Sequence, residues 1–127
     1  MSIDWSKLNT SLDKSATALA ATKADIASRR FTAETAGITL NGMSINTDRT
    51  SQGLITGAVV ETLLDPTYVC NWKTSDGWVQ LQPDVTKAVG QAVRAHVQAC
   101  FNREGVLSAA VSDGTYTDAM LEEGWPA

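Results

Sequence analysis

The amino-acid sequence predicts an α+β fold. Long stretches with helical periodicity alternate with two short segments that have the pattern of β-hairpins, and residues typical of helix caps separate them. The chain has 127 residues, of which 43% are hydrophobic and 19% charged, and this composition is typical of one folded domain. Aromatic residues make up only 6% and many apolar residues are alanine. We therefore expect a thin core whose stability is completed by a partner.

The first element is predicted to be a helix over residues 3–32. Its large apolar side chains recur every seven residues, with one intermediate position, at Trp5, Leu8, Leu12, Leu19 and Ile26. Ser15 and Thr22 occupy the next two intermediate positions, so the apolar stripe is narrow. Such a helix either packs on its own domain or docks on another chain. We favour docking, because a stripe this narrow is weak as a core face but adequate as a coiled-coil seam.

These five apolar residues are therefore predicted to bind a partner. The chain is divided accordingly into a docking helix, residues 1–32, and a compact α+β domain, residues 33–127.

Two hairpins and two helices are predicted within that domain. Asn41-Gly42 is typical of a type I′ turn and predicts a hairpin over residues 38–45, with Ile38 opposite Ile45. Thr47-Asp48 offers an N-cap for a helix over residues 48–64. Thr74–Gly77 predicts a second turn, and Pro83 begins a helix over residues 83–112. We expect the hairpins to form one small antiparallel sheet packed against these two helices.

Further details follow from single residues. The inward side of the 48–64 helix is predicted at Leu54, Ile55, Ala58, Val59 and Leu63. Gly53 and Gly57 lower helix propensity by about 1 kcal/mol each relative to alanine, so another element is expected to approach them closely. A short C-terminal helix is predicted from Thr117 to Glu123, and Trp125 is expected to fix the C-terminus to the core.

Charge and patterning argue against several classes of function. Ten Lys and Arg stand against 14 Asp and Glu, and this acidic balance argues against nucleic-acid binding, which needs a basic surface. No apolar run reaches the length of about 20 residues that spans a bilayer. The first residues lack the pattern of a signal peptide, so we expect synthesis in the cytoplasm, with Cys70 and Cys100 as free thiols.

The sequence contains no recognisable catalytic motif. His96, Cys100 and Glu104 share a helix face, but neither a second histidine nor a Cys-x-x-Cys pair completes a zinc site. No nucleophile elbow or phosphate-binding loop is present. We therefore predict no catalytic residue, no metal and no cofactor, and a protein that is not an enzyme.

Two polar or aromatic groups have alternative interpretations. Trp72 and Trp78 flank the second turn and form either a surface for stacking a host glycan or part of the packing under a helix. The segment from Asp48 to Gln52 is either a polar recognition patch or an N-cap with a first-turn hydrogen-bond network.

Several blocks in a fixed order suggest a family. They are Gly37-Ile38, Asn41-Gly42-Met43, Thr47–Gln52, Gly57-Ala58, Trp72–Gly77, His96–Phe101 and Gly124-Trp125-Pro126. Over residues 31–126 the chain resembles a domain family of unassigned biochemical function that recurs in bacteriophage tail-fibre proteins and prophage tail gene clusters.

The resemblance implies a non-enzymatic structural component of a phage tail. Such a protein would attach at the tail fibre or baseplate, as a homotrimer or in a stoichiometry matching a trimeric fibre, and would lie in the virion tail after synthesis in the host cytoplasm. The alternative is a tail-fibre assembly chaperone that is absent from the mature virion.

Overall fold

The computed structural model describes residues 5–127, with side chains from residue 13 onward. Three helices and four short strands follow one another: α1 (Trp5–Glu34), β1 (Ile38–Leu40), β2 (Met43–Ile45), α2 (Arg49–Leu64), β3 (Cys70–Thr74), β4 (Gly77–Leu81), α3 (Pro83–Asp113) and a C-terminal 3₁₀ helix (Asp118–Glu122). The predicted α+β class is confirmed. The last element is a 3₁₀ helix and α1 extends two residues further than expected.

Both hairpins form, each with its own two-stranded sheet. In the first, Asn41 and Gly42 have φ angles of 50° and 78°, as a type I′ turn requires, and Ile38 lies opposite Ile45. The second hairpin turns through two residues between Thr74 and Gly77. The expectation of one sheet was wrong, since β1–β2 and β3–β4 are not hydrogen-bonded to each other. The two hairpins nevertheless approach each other through β2 and β3, which are in contact.

The cap of α2 is as predicted, but its buried face is narrower. The Asp48 carboxylate accepts a hydrogen bond from the Ser51 backbone N–H at 3.1 Å. Ile55, Ala58 and Thr62 are buried, a spacing of three and four residues that defines one face. Leu54 and Leu63 were expected inside but are 61% and 68% exposed, because they lie on either flank of that face.

Close approach between α2 and α3 occurs at a glycine that the sequence did not single out. A Cβ atom added at Gly90 of α3 would lie 2.6 Å from the Val59 Cγ2 atom of α2, whereas one added at Gly53 or Gly57 would meet nothing within 4 Å. The prediction that another element packs closely on Gly53 and Gly57 was therefore wrong.

Helix α3 is shared by two hydrophobic clusters. Its first half packs on α2 and the hairpins through a cluster of Ile45, Ile55, Ala58, Cys70, Trp72, Leu81, Val89, Val93 and Val97. Its second half contributes Leu107 and Val111 to a smaller cluster with Ile26 of α1. Gly114, with φ of 78°, ends α3 in the left-handed conformation typical of a C-cap.

The C-terminal segment closes the smaller cluster. Trp125 packs against it and donates its indole N–H to the Leu121 carbonyl at 2.7 Å. Arg103 donates to the Glu123 and Met120 carbonyls at 2.8 Å and 3.1 Å. The prediction that Trp125 fixes the C-terminus is confirmed.

Candidate functional site

Helix α1 runs antiparallel to α3, and its contacts can be followed along the pair. The Lys23 Nζ atom lies 2.8 Å from the Ser112 hydroxyl, and the Arg30 Nε atom lies 2.7 Å from the Glu104 carboxylate. The Ala33 carbonyl lies 2.9 Å from His96 Nε2. Residues later in α1 thus contact residues earlier in α3, and the C-terminal end of α3 lies opposite Lys23.

Ile26 belongs to the core and not to a partner-binding surface. It is fully buried in the cluster with Leu107 and Val111, because the last two turns of α3 cover it. Its assignment to the partner-binding set was therefore wrong. The predicted boundary after residue 32 falls within one continuous helix, and residues on both sides of it, Ile26 and Ala33, are buried.

The part of α1 before Lys23 has a different environment. Every side chain from Asp13 to Ala21 is exposed, and we call these residues the projecting segment. Leu19, two turns before Ile26 on the same stripe, is 48% exposed. The side chains of Trp5, Leu8 and Leu12 lie outside the described residues. The projecting segment is therefore the described part of the predicted docking surface that remains accessible.

A buried carboxylate holds the docked end of α1 in place. Glu34 is fully buried and receives Arg30 Nη1 at 2.6 Å, Arg49 Nε at 2.5 Å and Gln52 Nε2 at 2.8 Å. Burial raises the pKa of Glu34, but the hydrogen bonds from Arg49, Gln52 and Arg30 outweigh it, and the net pKa lies below the ordinary value. Glu34 is thus a charged link between α1 and α2.

The polar segment Asp48–Gln52 has a structural role. Asp48 caps α2, while Arg49 and Gln52 point to Glu34. The Thr47 hydroxyl donates to the Glu34 carbonyl at 2.6 Å and accepts from the Gly37 N–H at 2.9 Å. The interpretation as an N-cap with a first-turn network is confirmed, and these side chains do not form an open recognition patch.

Glu34 was missed by the sequence reasoning. Its one local signal is the spacing of four residues from Arg30, which is typical of an ion pair on a helix. That signal does not distinguish a buried pair from a solvated one, because α2 supplies the remaining partners from a distant part of the chain.

His96 and the two thiols are internal groups. His96 is buried, and its Nε2–H donates to the Ala33 carbonyl, since a carbonyl oxygen can only accept. Cys70 and Cys100 are free and buried, and burial raises the pKa of each thiol. Glu104 pairs with Arg30. Within residues 13–127, no three His, Cys, Asp or Glu side chains form a metal-binding group.

Trp72 and Trp78 do not form a common platform. The register places Trp72 opposite Val79 and Lys73 opposite Trp78, so the two tryptophans point to opposite faces of the hairpin. Trp72 is 8% exposed and part of the core, whereas Trp78 is 71% exposed. The assignment of Trp72 as a surface recognition residue was wrong, and only Trp78 remains accessible.

An open cleft of about 900 Å³ lies between α2 and β3, and we call it the α2–β3 cleft. Leu54, Gly57 and Glu61 line its helical wall, while Asn71 and Lys73 line its strand wall. The Lys73 ammonium lies 5.9 Å from the centre of the Trp78 ring, which also lines the cleft. The Trp72 indole N–H, beside the same cleft, is the one buried side-chain polar atom among the described residues without a hydrogen-bond partner.

Comparison with known families gives one match. Residues 17–123 match the family described as a domain of unknown function, DUF4376. The chain belongs to this family. The DUF4376 region begins inside α1 and includes the docked end of that helix, in agreement with the burial of Ile26 and Glu34. No curated protein and no solved structure matches the chain. In the described part of the chain, no helix is long and apolar enough to cross a membrane.

Proposed function

We propose that the protein is a non-enzymatic structural component of a bacteriophage tail, attached at the fibre or baseplate through the N-terminal part of α1. The observation that carries the proposal is the projecting segment. There the seam that buries Ile26 between α1 and α3 continues past the end of α3 with its side chains exposed.

A helix in this position gains stability from a partner. Residues 5–21 of α1 extend about 25 Å at 1.5 Å per residue, and a helical stretch of this length is marginal in water without tertiary packing. The stripe of Trp5, Leu8, Leu12 and Leu19 would pack against a helix of a neighbouring chain. That helix would take the place that α3 occupies along the docked end.

The proposal that the protein is not an enzyme is supported by the surroundings of its histidine and its two cysteines, which are all buried. His96 is bonded to a backbone carbonyl, and burial keeps both thiols protonated at neutral pH, whereas catalysis requires an accessible thiolate. The association with a phage tail is supported by the sequence blocks that resemble domains of tail-fibre proteins.

The resemblance to tail-fibre proteins also suggests a stoichiometry. Because tail fibres are commonly trimeric, we propose a homotrimer or docking on a trimeric fibre. Light scattering of the full chain over a range of concentrations measures this directly. The mass of a single chain at every concentration would contradict self-association. Docking on a trimeric fibre would then be the remaining alternative.

The docking surface is tested by Leu12→Asp combined with Leu19→Asp. The matched control is Thr10→Asp combined with Thr17→Asp, which puts the same charges on the same helix seven residues apart, away from the stripe. We expect the control to enter phage particles normally and the stripe variant to be lost from them, as measured by mass spectrometry of purified virions. Normal incorporation of the stripe variant would refute the proposal.

The same measurement distinguishes an assembly chaperone. A chaperone would use the same surface but leave before maturation. Absence of the wild-type protein from mature virions, together with failure of fibre assembly in the stripe variant, would replace the structural role by the chaperone role.

A further inference from the structure

We propose that a groove between α2 and α3 binds an acidic amphipathic helix of a partner protein. This groove, which we call the α2–α3 groove, has a volume of about 770 Å³ and is lined by residues of these two helices. It lies along residues 87–98 of α3, whereas the projecting segment continues past the other end of that helix, beyond the contact of Lys23 with Ser112. The site therefore goes beyond docking through α1 and gives the chain a second interaction surface.

The α2 wall of the groove is an apolar row that the chain leaves open. Thr56, Val60 and Leu63 line it at spacings of four and three residues, so they share one face of the helix. Val60 is 49% exposed and Leu63 is 68% exposed. At the base of the groove, Gly90 has no side chain that would keep Val59 away from α3. A concave surface with neighbouring exposed apolar side chains is typical of an interaction site.

The α3 wall of the groove is basic. Its polar side chains recur every three or four residues along one face of the helix, at Lys87, Gln91, Arg94 and Gln98. None of the residues that line the groove is Asp or Glu, and the ion pairs of the described residues involve neither Lys87 nor Arg94. The net charge of the whole chain is -4, so this wall is a local positive region on an acidic protein. Charge complementarity therefore favours an acidic occupant.

The backbone of the two walls determines which kind of element fits. Both walls are helices, whose N–H and C=O groups are already hydrogen-bonded along the helix. An extended peptide would leave water without finding partners here for its own backbone groups, which is costly. A helix satisfies its backbone internally, and an amphipathic helix in an apolar groove is a recurring mode of recognition. The groove therefore favours a helix as its occupant.

The spacing of the two cations predicts the pattern of that helix. Residues 87–98 span about 16 Å at 1.5 Å per residue, which corresponds to about three helical turns. Lys87 and Arg94 are seven residues apart on one face, a distance of about 10 Å along the axis. The occupant is therefore expected to carry two acidic residues seven positions apart, beside an apolar stripe that faces Val60 and Leu63.

A second copy of this chain matches the groove less well. A symmetric pair of copies joined through the groove would place the same basic wall on both sides of the interface, and like charges repel. The α1 stripe of another copy brings Lys7, Asp13 and Lys14 within residues 5–21, which gives this part of the helix a net positive charge. Both comparisons favour a partner of different sequence.

The first experiment selects binders of the full chain from a displayed library of amphipathic helices of about 14 residues, or four turns. The apolar stripe of the library is drawn from Leu, Ile, Val and Ala, and each flanking position from Glu, Lys and Gln. We expect the enriched peptides to carry Glu at two flanking positions seven residues apart. The absence of enriched peptides, or enrichment without a preference for Glu over Lys, would overturn the proposal.

The second experiment reverses the charge of the α3 wall. Synthetic enriched peptides, and versions with Lys in place of the flanking Glu, are titrated against Lys87→Glu combined with Arg94→Glu. Compared with the wild type, we expect this variant to bind the Glu peptides at least about tenfold more weakly and the Lys peptides at least about tenfold more tightly. Tighter binding of the Lys peptides also shows that the variant is folded.

The matched control for this experiment is Lys14→Glu combined with Lys73→Glu. It makes the same change in net charge at exposed side chains that do not line the groove. We expect it to alter the affinity for the Glu peptides less than about twofold. Equal weakening by the two double variants would overturn the proposal, because the effect would then follow from net charge alone.

The third experiment tests the apolar wall. Leu63→Ser and Leu64→Ser make the same change at adjacent positions of α2 that are 68% and 76% exposed, but only Leu63 lines the groove. We expect Leu63→Ser to weaken binding of the Glu peptides at least about fivefold and Leu64→Ser to change it less than about twofold. Equal affinities of these two variants would contradict the site.

Two further results would assign the groove to a different occupant and overturn the proposal. One is binding of the chain to vesicles that contain phosphatidylserine, lost in Lys87→Glu combined with Arg94→Glu, when no helical peptide is enriched. It would indicate an anionic membrane surface. The other is an oligomer of the wild type that Leu63→Ser dissociates to single chains in light scattering, which would indicate a second copy of this chain.

Discussion

The two ends of α1 follow the same sequence pattern in different surroundings. Ile26 and Leu19 lie seven residues apart on one stripe, yet Ile26 is fully buried and Leu19 is 48% exposed. The difference arises at the end of α3, which stops at Asp113, close to Ser112, whose hydroxyl is hydrogen-bonded to Lys23 of α1. Periodicity therefore identifies which face of the helix is apolar, but the length of the neighbouring helix determines how much of that face the chain itself covers.

The largest effect is expected at the buried end of the helix. Glu34→Ala should lower the free energy of unfolding by about 4 kcal/mol, because it leaves Arg30 without its buried carboxylate and releases Arg49 and Gln52. Urea denaturation measures the change. The control is Glu122→Ala, which breaks the Arg29 pair at a side chain that is 69% exposed and should cost less than about 1 kcal/mol. Equal effects would mean that Glu34 does not hold α1 to α2.

The contrast between Ile26 and Leu19 is tested by replacing each of them with alanine. Ile26→Ala should cost about 3 kcal/mol of unfolding free energy, since it opens a cavity beside Leu107 and Val111. Leu19→Ala should cost less than about 0.5 kcal/mol in the monomer. Thermal unfolding at low protein concentration measures both. A large effect of Leu19→Ala there would show that the projecting segment packs on its own chain.

The pH dependence of stability provides a smaller test of the same network. The folded pKa of Glu34 lies below its ordinary value of 4.5, so its stabilisation is complete above that pH and is lost as pH falls through the folded pKa. Below pH 4.5, the unfolding free energy of the wild type should fall more steeply than that of Glu34→Gln. Parallel pH curves would contradict a carboxylate that is more acidic in the fold.

The smallest effect is expected at the junction between the two ends of α1. Lys23→Ala removes the hydrogen bond to Ser112, which is exposed, and should change the unfolding free energy by less than about 0.5 kcal/mol. Chemical denaturation beside Ile26→Ala checks this value. If Lys23→Ala lowered the unfolding free energy as much as Ile26→Ala does, the packing between α1 and α3 would extend further toward the projecting segment than the structure indicates.

Local chemistry explains the predictions that were confirmed. Asn41-Gly42 fixes the first turn and its register, Asp48 fixes the start of α2, and Pro83 begins α3. Each acts through backbone angles or through hydrogen bonds within about four residues, which adjacent residues are sufficient to specify.

The predictions that failed concern distant neighbours. The outward position of Leu54, the close contact at Gly90 and the buried network of Glu34 depend on elements that meet only in the folded chain. The candidate docking surface was found only in part for the same reason. The stripe was visible in the sequence, but the cover over Ile26 comes from α3, about eighty residues further along.

The sequence by itself determined the order of helices and hairpins, the register of the first hairpin and the apolar stripe of α1, because these depend on periodicity and local conformation. Only the tertiary structure decided that α3 covers one end of that stripe, that Glu34 is a buried link and that the two hairpins form separate sheets. Such outcomes depend on where separate elements end against one another, which no local pattern records.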